Sequence, residues 1–298
     1  MQPVSPGKYK EFYGRDRQRM IHPTAIVSPK AEIGNNVEIG PYAVIDDDVR
    51  IGDDCYIDAH VKIAQYTTLG ARCRVYFGAL VGAEPQDHRF YKGIRSSTEI
   101  GHDTVIREYV TIHRPPFEFM KTVIGSHVLL MSFVHVAHDV VIADRVTIAN
   151  HTALTGHIRI GEGAVLSGYT KIHQFCRIGS LAMIGAGCLI GQDVPPFCML
   201  RETNFITGPN TIGLRRAGMP NETRLAIRRA IKTFFFEGLN TKNALERIES
   251  QPMISEVRMF VNFIKESNRG IMPGNPKYTG VPDDQRDEME QRATAAQD

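Results

Sequence analysis

Aliphatic side chains recur at every sixth position along most of the chain. The first run contains eleven positions, all of them Ile, Val or Leu: Ile21, Val27, Ile33, Ile39, Ile45, Ile51, Ile57, Ile63, Leu69, Val75 and Val81. Shifting the frame by one residue gives mainly Gly, Asp and other small or polar residues. A second row of small or β-branched residues follows four positions after each aliphatic. The period of six therefore has a defined phase.

Two interruptions divide this pattern. It breaks at residues 83–98, resumes one residue out of phase at Ile100, breaks again at 114–122, and then runs from Ile124 to Ile190. A period of six matches neither an α-helix nor a β-hairpin meander. It predicts a parallel β-helix, in which each step is a short strand and a turn. Three steps make one three-sided coil, and successive coils stack about 4.8 Å apart.

The hexapeptide pattern ends at Pro195-Pro196, and helices are predicted beyond it. Asn221 is expected to cap one helix, and Thr241 and Ser255 to open two more. The fold class is therefore a β-solenoid, a parallel β-helix followed by a small C-terminal α-helical domain. The predicted parts are an N-terminal extension (1–19), the hexapeptide-repeat β-helix (20–198), the helical domain (199–270) and a polar tail (271–298) that we expect to be disordered.

Composition excludes several classes of protein. With 42% hydrophobic and 23% charged residues, the 298-residue chain is typical of a soluble folded protein. No apolar run reaches the length of about 18 residues that a membrane span requires, and the first residues lack the apolar core of a secretory signal. A net charge of +2 gives no electrostatic basis for nucleic-acid binding. Five cysteines without a C-x-x-C pair argue against disulfides or a zinc ribbon, which indicates a cytoplasmic protein.

Histidines are concentrated in the second half of the repeat. Because Asp139 and His157 are separated by three steps of the repeat, which is one full coil, they are expected on adjacent coils. The same spacing relates His138, Gly156 and Gln174. One edge of the solenoid is therefore predicted to gather a set of polar and glycine residues: His135, His138, Asp139, Gly156, His157, His173 and Gln174.

Three interpretations of this edge remain open on the residues alone. Solenoid turns tolerate polar side chains of many kinds, so the set could be structural, as in a non-catalytic scaffold. It could bind a metal, since β-helices of this kind include gamma-class carbonic anhydrases, although the His135-x-x-His138 spacing differs from that family's wider histidine pair. It could also catalyse acyl transfer, with a histidine removing a hydroxyl proton, a carboxylate orienting the ring, and a backbone N–H such as that of Gly156 stabilising the oxyanion.

Several segments of the chain resemble the signature segments of the UDP-N-acetylglucosamine O-acyltransferases and follow one another in the same order as in that family. These are hexapeptide-repeat enzymes that catalyse the first step of lipid A biosynthesis. The segments are Pro85-Gln86-Asp87, Arg107-Glu108-Tyr109-Val110-Thr111-Ile112-His113-Arg114, His135-Val136-Ala137-His138-Asp139, Thr155-Gly156-His157, Ile172-His173-Gln174-Phe175, Gln192-Asp193-Val194-Pro195-Pro196 and Gly213-Leu214-Arg215-Arg216. The resemblance extends from about Ile21 to the C-terminal helices. It implies that the β-helix is left-handed.

The resemblance also implies a role for each candidate residue. His138 would be the general base on the glucosamine 3-hydroxyl, with Asp139 as its orienting partner and Gly156 as the oxyanion donor. Because adjacent residues on a strand point in opposite directions, the His138–Asp139 pair requires a turn. Ala186 would limit the length of the acyl chain, in a slot somewhat shorter than glycine would leave. Contacts to the sugar, nucleotide, diphosphate or acyl donor would come from Asp87, Arg89, His135, His157, His173, Gln174, Asn210 and Arg216.

The partners implied by the resemblance are an (R)-3-hydroxyacyl carrier protein as donor, UDP-N-acetylglucosamine as acceptor, and two further copies of the chain in a homotrimer. No metal or other cofactor is implied. Residues 213–232 carry six basic and one acidic side chain, a charge suited to an acidic carrier protein. A related sugar acyltransferase, N-acylating or dependent on acetyl-CoA, would share the fold and is the alternative.

Four departures from the family pattern stand out. Arg89 replaces the usual Lys, and Pro115-Pro116 replaces a Gly-Thr loop. The Gly-Asn-Pro-Ala segment after the last coil is replaced around Glu202-Thr203-Asn204, and Ala217 replaces a basic residue. The last two affect the predicted nucleotide pocket more than the catalytic edge.

Overall fold

Three β-sheets enclose an aliphatic core along most of the chain. The computed structural model describes residues 21–201 and 204–276. The predicted N-terminal extension (1–19), Glu202, Thr203 and the predicted tail beyond residue 276 lie outside the described residues.

The strands are short, and most contain two residues. In chain order they are β1 (Ile26–Val27), β2 (Glu32–Ile33), β3 (Glu38–Ile39), β4 (Val44–Ile45), β5 (Arg50–Ile51), β6 (Tyr56–Ile57), β7 (Lys62–Ile63), β8 (Thr67–Leu69), β9 (Arg74–Val75), β10 (Leu80–Ala83), β11 (Ser97–Ile100), β12 (Val105–Ile106), β13 (Thr111–His113), β14 (Lys121–Ile124), β15 (Leu129–Leu130), β16 (His135–Val136), β17 (Val141–Ile142), β18 (Thr147–Ile148), β19 (Ala153–Leu154), β20 (Arg159–Ile160), β21 (Val165–Leu166), β22 (Lys171–Ile172), β23 (Arg177–Ile178), β24 (Met183–Ile184), β25 (Leu189–Ile190), β26 (Cys198–Arg201) and β27 (Phe205–Pro209).

Every third strand belongs to the same sheet, as a three-sided coil requires. The first sheet runs from β1 to β25, the second from β2 to β23, and the third from β3 to β24 and on to β26 and β27. Among the described strands all pairings are parallel except that of β26 with β27. We name the turns by the sheets they join: edge 1–2, edge 2–3 and edge 3–1.

Alternation along each two-residue strand explains the six-residue pattern. The first side chain of the strand points outward and the second points into the core. Ile45, Ile63 and Leu130 from the predicted aliphatic row are at most 1% exposed. The small-residue row is buried as well from Val37 onward, and its cysteines are free thiols that pack in the core. The repeated aliphatic positions are therefore the hydrophobic interior of the solenoid.

Both interruptions of the repeat project from the same edge. The loop over residues 84–96 connects β10 to β11, and the loop over residues 114–120 connects β13 to β14. Each leads from the first sheet to the second, and so both extend from edge 1–2. The predicted catalytic turn after β16 lies on this edge too. The two loops therefore project from the same edge of the solenoid as the predicted catalytic residues.

The strand ladder continues past the expected boundary at residue 198. β26 extends the third sheet and β27 returns antiparallel to it. Ile271 bridges Asp193, and Gly274 bridges Ile206, so the first residues of the predicted polar tail pack against the last coils. The boundary between solenoid and helices is thus formed by β27.

Helices follow over the remaining described residues: α1 (Thr211–Arg216), α2 (Asn221–Phe236), α3 (Thr241–Glu249) and α4 (Ser255–Lys265). Thr241 and Ser255 begin helices as predicted, whereas the cap prediction for Asn221 is wrong. Pro220 occupies the cap position in an extended conformation (φ −55°, ψ 149°) without a side-chain cap hydrogen bond, and Asn221 is the first helical residue. None of the described helices is both long and apolar enough to cross a bilayer.

Candidate active site

Edge 1–2 places the predicted catalytic residues on consecutive coils. His135 begins β16 in register with Ala153 of β19, and the turn after β16 carries His138 and Asp139. One coil further, the N–H of His157 donates to the carbonyl of His138 over 3.1 Å. The predicted coil spacing therefore holds at this edge, where the chain has no interruption between the coils.

His138 and Asp139 form a buried hydrogen-bonded pair. The distance from His138 Nδ1 to Asp139 Oδ2 is 2.7 Å. The two residues are 7% and 8% exposed. A carboxylate only accepts, so Nδ1 carries the proton and the lone pair lies on Nε2. This tautomer is the one that a general base at Nε2 needs.

A left-handed turn allows these neighbours to point the same way. Asp139 has a φ of 61°, a conformation that Asp tolerates better than most residues. Its N–H donates to Thr122 Oγ1 over 3.0 Å. The hydroxyl of Thr122 in turn donates to the carbonyl of His113 over 2.8 Å. The second interruption of the repeat, which ends near Thr122, therefore holds the turn that forms the pair.

Gly156 allows the backbone of the next coil to approach the His138 ring. A Cβ at this position would lie 2.5 Å from Cε1 and 2.8 Å from Nε2 of His138. Such distances are far below van der Waals contact, so a side chain would displace the ring. The N–H groups of the two neighbouring residues already have partners between coils: the Thr155 N–H donates to the Ile172 carbonyl, and the His157 N–H donates to the His138 carbonyl. The Gly156 backbone is thus adjacent to the basic nitrogen.

Asp87 and Arg89 come from the loop over residues 84–96, and Asp87 faces the same ring. Arg89 Nη2 contacts Asp87 Oδ2 at 2.7 Å, and the Arg89 N–H donates to Asp87 Oδ1 over 2.8 Å. These contacts hold the pKa of Asp87 well below its usual range. Asp87 Oδ2 lies 3.8 Å from His138 Nε2, which is too long for a hydrogen bond. Because Arg stands here where the family usually has Lys, the Asp87 carboxylate is bound by a guanidinium that can donate two hydrogen bonds at once.

Two further histidines of the edge are kept neutral by their surroundings. Burial lowers the pKa of His157, whose ring is perpendicular to that of His138 at a centroid distance of 5.2 Å. Burial also lowers the pKa of His135, whose Nδ1 lies 2.8 Å from Thr111 Oγ1. Neutral rings can both donate and accept hydrogen bonds, which suits contact with sugar hydroxyls.

His173 and Gln174 extend the edge by another coil and are exposed. His173 Nδ1 lies 3.2 Å from the carbonyl of Gln174 and 3.2 Å from Nη2 of Arg269. Arg269 follows α4 and was not a predicted site residue, because a residue 96 positions away from His173 shows no periodic relation to it.

His113 is a second residue that periodicity missed. It is 4% exposed, its ring centroid lies 5.1 Å from that of His135, and Nδ1 contacts the carbonyl of Glu84 at 2.7 Å. Within the described residues its Nε2 has no hydrogen-bond partner. Thr111 pairs with His135 across a coil lengthened by one extra step of the repeat, which the loop over residues 114–120 supplies. Correcting the coil length for this loop would have revealed the contact.

A metal is the alternative occupant of this edge. His138, Asp139 and His157 each offer one ligand atom, and these atoms lie within 4.8 Å of one another. The 2.7 Å distance between His138 Nδ1 and Asp139 Oδ2 is that of a hydrogen bond, however, in which Nδ1 is protonated. A protonated Nδ1 has no lone pair with which to bind a metal. Nε2 of His138 would have to serve instead, and it faces Asp87. The geometry therefore fits a proton-transfer pair better than a metal centre.

Three predicted residues lie away from edge 1–2 in the single chain. Ala186 is in the turn after β24, on edge 3–1. Asn210 caps α1, where its Oδ1 accepts from the Gly213 N–H and its Nδ2 donates to the carbonyl of Leu181. Arg216 is exposed at the end of α1. Asn210 thus has a structural role whatever it binds.

The departures from the family pattern have local consequences. Pro115 presents its carbonyl to the hydroxyl of buried Ser96, so the Pro-Pro segment joins the two loops of edge 1–2. Asn204, at a φ of 57°, accepts from the Leu189 N–H and so satisfies the last strand of the first sheet. Ala217 follows α1 and is exposed.

Comparisons with known proteins agree over most of the chain. The family profile described as "Udp N-acetylglucosamine O-acyltransferase; Domain 2" matches residues 193–272, and the bacterial transferase hexapeptide profile matches 121–156. The acyl-[acyl-carrier-protein]–UDP-N-acetylglucosamine O-acyltransferase of Pseudomonas syringae pv. syringae (strain B728a) is 44% identical over 85% of this chain and 99% of that protein. Its counterpart from Stutzerimonas stutzeri (strain A1501) is 42% identical over 85% and 98%. The solved UDP-N-acetylglucosamine acyltransferase from Bacteroides fragilis 9343 has a TM-score of 0.83 at 41% identity, and covers 85% of this chain and 100% of that chain.

The left-handed parallel β-helix with its small helical part, and the His–Asp pair on one edge, define a transferase of the hexapeptide-repeat class. Identity of 42% and 44% over nearly the whole length of the relatives then distinguishes among members of that class. The chain belongs to the UDP-N-acetylglucosamine O-acyltransferase family. The fold class and the family predicted from the repeats and motifs are both confirmed.

Proposed function

We propose that this protein transfers an (R)-3-hydroxyacyl chain from acyl carrier protein to the glucosamine 3-hydroxyl of UDP-N-acetylglucosamine, the first step of lipid A biosynthesis. The observation that carries the proposal is the buried His138–Asp139 pair, which leaves the lone pair on Nε2, 3.8 Å from Asp87 Oδ2 and next to the Gly156 backbone. Family membership supports the choice of donor and acceptor.

The reaction needs one base and one oxyanion donor. His138 Nε2 takes the proton of the 3-hydroxyl as its oxygen attacks the thioester carbonyl, and Asp139 stabilises the resulting imidazolium. Negative charge develops on the carbonyl oxygen, and the Gly156 N–H donates to it. The C–S bond then breaks, and Nε2 returns the proton to the departing thiolate. The products are the sugar ester and the free thiol of the carrier protein, and no cofactor is consumed.

The other residues of the edge supply recognition in this proposal. Asp87, held ionised by Arg89, accepts from a sugar hydroxyl, and Arg89 keeps further donors available for phosphate oxygens. His135, His157, His173 and Gln174 contact the sugar, the diphosphate or the acyl donor. Asn210 and Arg216 contact the nucleotide. Because Asn210 binds the Leu181 carbonyl on edge 2–3 and Arg216 ends the helix that Asn210 caps, their part depends on how subunits assemble.

We further propose that the protein is a homotrimer with sites between subunits. Ala186 and His138 lie on different edges of one chain, so a chain-length role for Ala186 requires a second subunit. The stacked rings of Tyr109, Phe133 and His151 make edge 3–1 aromatic, and Phe133 is 49% exposed. Beside it, half-buried side chains form a mainly apolar outer face on the third sheet, in which Thr147 is the one polar member: Val105, Leu129, Thr147, Val165, Met183 and Met199. Such a face is suited to a neighbouring prism.

Charge and thiol chemistry support the proposed donor and location. Residues 213–232 carry a local charge of +5 on α1 and α2, and Arg216, Arg229 and Lys232 are exposed there. A basic patch steers an acidic carrier protein toward the site. The five cysteines are free and buried, as is usual in a reducing compartment. We therefore place the reaction in the cytoplasm.

The function is tested with purified full-length protein, UDP-N-acetylglucosamine and a 3-hydroxyacyl carrier protein. We expect an ester at the 3-position and one free carrier thiol for each ester formed, measured by mass spectrometry and thiol titration. Parallel reactions contain acetyl-CoA, or an acceptor with an amine in place of the 3-hydroxyl. Product formed only with acetyl-CoA or only with the amine would contradict the proposal and favour the alternative sugar acyltransferase.

Ala186 is predicted to influence the preferred acyl length. A series of 3-hydroxyacyl carrier proteins is assayed with the wild type, Ala186→Gly and Ala186→Met. We expect longer chains to be preferred by Ala186→Gly and shorter chains by Ala186→Met, because each added methylene changes the free energy of burial by about 0.8 kcal/mol, or roughly fourfold in rate. Ala186 is exposed in the single chain, so the substitutions leave the core intact. Identical preferences in all three proteins would contradict the role.

A further inference from the structure

Arg269 carries its guanidinium from the helical part onto the end of edge 1–2. Its Nη2 donates to the carbonyl of Gly191 over 2.8 Å and lies 3.2 Å from His173 Nδ1. Gly191 occupies the position of His173 one coil later, since three steps of the repeat separate the two. The guanidinium therefore lies against two successive coils of the site edge.

The backbone beside Arg269 is fixed by a buried carboxylate residue. Asp193 is 1% exposed, and its N–H donates to the Gly270 carbonyl while its own carbonyl accepts from the Met272 N–H, each over 2.9 Å. The Ser267 hydroxyl donates to Asp193 Oδ2 over 2.8 Å. Since residues on both sides of Arg269 are bound to Asp193, the backbone that carries the guanidinium is already fixed, and only the side chain has to be ordered by its contacts with Gly191 and His173.

The contact with Arg269 selects one tautomer of His173. Nδ1 has two neighbours with opposite requirements, the Gln174 carbonyl, which needs a donor, and the guanidinium, which can only donate. A hydrogen bond from a charged donor is the stronger of the two, and an N–H at Nδ1 would point at a cation. Nδ1 is therefore the acceptor, and the ring proton is on Nε2.

We infer that Arg269 is a positioning residue that holds His173 with its proton on Nε2, so that the ring presents a hydrogen-bond donor to the substrate. An N–H donor suits phosphate oxygens and the carbonyl of an acetamido group, which only accept. The inference rests on the proposed function in one respect, that His173 contacts UDP-N-acetylglucosamine. The tautomer itself follows from the contacts of the free protein.

The first test reads the tautomer without any substrate. Histidine ¹⁵N chemical shifts are recorded for the full-length protein at neutral pH, and the His173 signals are assigned by their absence in His173→Ala. We expect an unprotonated Nδ1 and a protonated Nε2 in the wild type, and a shift toward the Nδ1-protonated form in Arg269→Met, where the Gln174 carbonyl has no competitor. A protonated Nδ1 in the wild type, or the same tautomer in both proteins, would overturn the inference.

The second test is a double-mutant cycle on KM for UDP-N-acetylglucosamine. We expect Arg269→Met to raise KM about five- to tenfold with a small change in kcat, the size of one lost hydrogen bond. In a His173→Ala background the same change should have little effect, because the coupled partner is absent. An equal effect in both backgrounds would mean that Arg269 only anchors the chain to Gly191, and would refute the inference.

Two further variants guard against a trivial result. Arg269→Lys retains the charge and a hydrogen-bond donor, so its KM for UDP-N-acetylglucosamine should be close to that of the wild type. This comparison remains possible even if Arg269→Met proves unstable. Arg258→Met removes an exposed arginine from α4 and should leave both readouts unchanged. A protein without activity on UDP-N-acetylglucosamine would contradict the proposed function, whereas the ¹⁵N measurement would still decide the tautomer.

Discussion

Replacing His138 with alanine is expected to lower kcat by about 10²- to 10⁴-fold, the range typical for removal of a general base. The orientation of the ring is fixed by a 2.7 Å hydrogen bond from Nδ1 to the Asp139 carboxylate, which leaves the lone pair on Nε2. A Cβ on Gly156 would lie 2.5 Å from Cε1 and 2.8 Å from Nε2 of this ring, so the Gly156 backbone lies close to the basic nitrogen. KM for UDP-N-acetylglucosamine should change much less than kcat, because the base acts on the transition state.

The matched control is His127→Ala. His127 is also in a left-handed turn, with a φ of 57°, but is exposed on edge 2–3. Its loss should leave kcat unchanged, whereas undiminished activity in His138→Ala would exclude His138 as the base. Thermal unfolding of His127→Ala should resemble that of the wild type, whereas His138→Ala should unfold at a lower temperature while keeping its fold, because it removes the hydrogen-bond partner of the buried Asp139 carboxylate.

The pairing of residues on edge 1–2 could be predicted because the repeat is regular there. Between His138 and Gln174 no loop interrupts the coils, so a spacing of three repeat steps places side chains on neighbouring coils. Where a loop intervenes, the arithmetic fails, as it does for the contact of His113 with His135. The lengths of such loops are visible in the sequence, and so this failure is correctable.

Other features of the site have no periodic signature. Arg269 reaches His173 because α4 and the segment after it fold back onto the last coils, a tertiary contact between distant parts of the chain. The position of Pro220 as the cap of α2 was missed because Asn221 has the stronger general preference for that position. Local propensity and repeat spacing thus predicted the framework, while contacts between the two parts of the chain depended on packing.

The geometry of the His138–Asp139 pair shows how the turn would allow the proposed chemistry. In an extended strand His138 and Asp139 would point to opposite faces. The left-handed φ of Asp139 turns its carboxylate back to the ring, and the Asp139 N–H is held by Thr122. Buried Asp139 Oδ1 has no hydrogen-bond partner within the described residues. The hydrogen bond from His138 Nδ1 to Oδ2 is therefore the principal stabilisation of the Asp139 carboxylate.

Asp139→Asn is expected to lower kcat by roughly 10²- to 10⁴-fold while leaving the fold intact, in line with the loss seen when the carboxylate of a catalytic triad becomes an amide. Asn adopts the left-handed conformation as readily as Asp, so the turn is retained. The amide can turn its NH₂ group toward Nδ1, which then becomes the acceptor and moves the ring proton to Nε2. His138 would then lack the lone pair that removes the hydroxyl proton, and a steady-state assay should show the loss in kcat.

Asp103→Asn is the matched control, since Asp103 has a φ of 56° on edge 2–3 and its carboxylate pairs with exposed Arg72, away from the site. Equal activity of Asp139→Asn and Asp103→Asn would show that Asp139 does not orient the base.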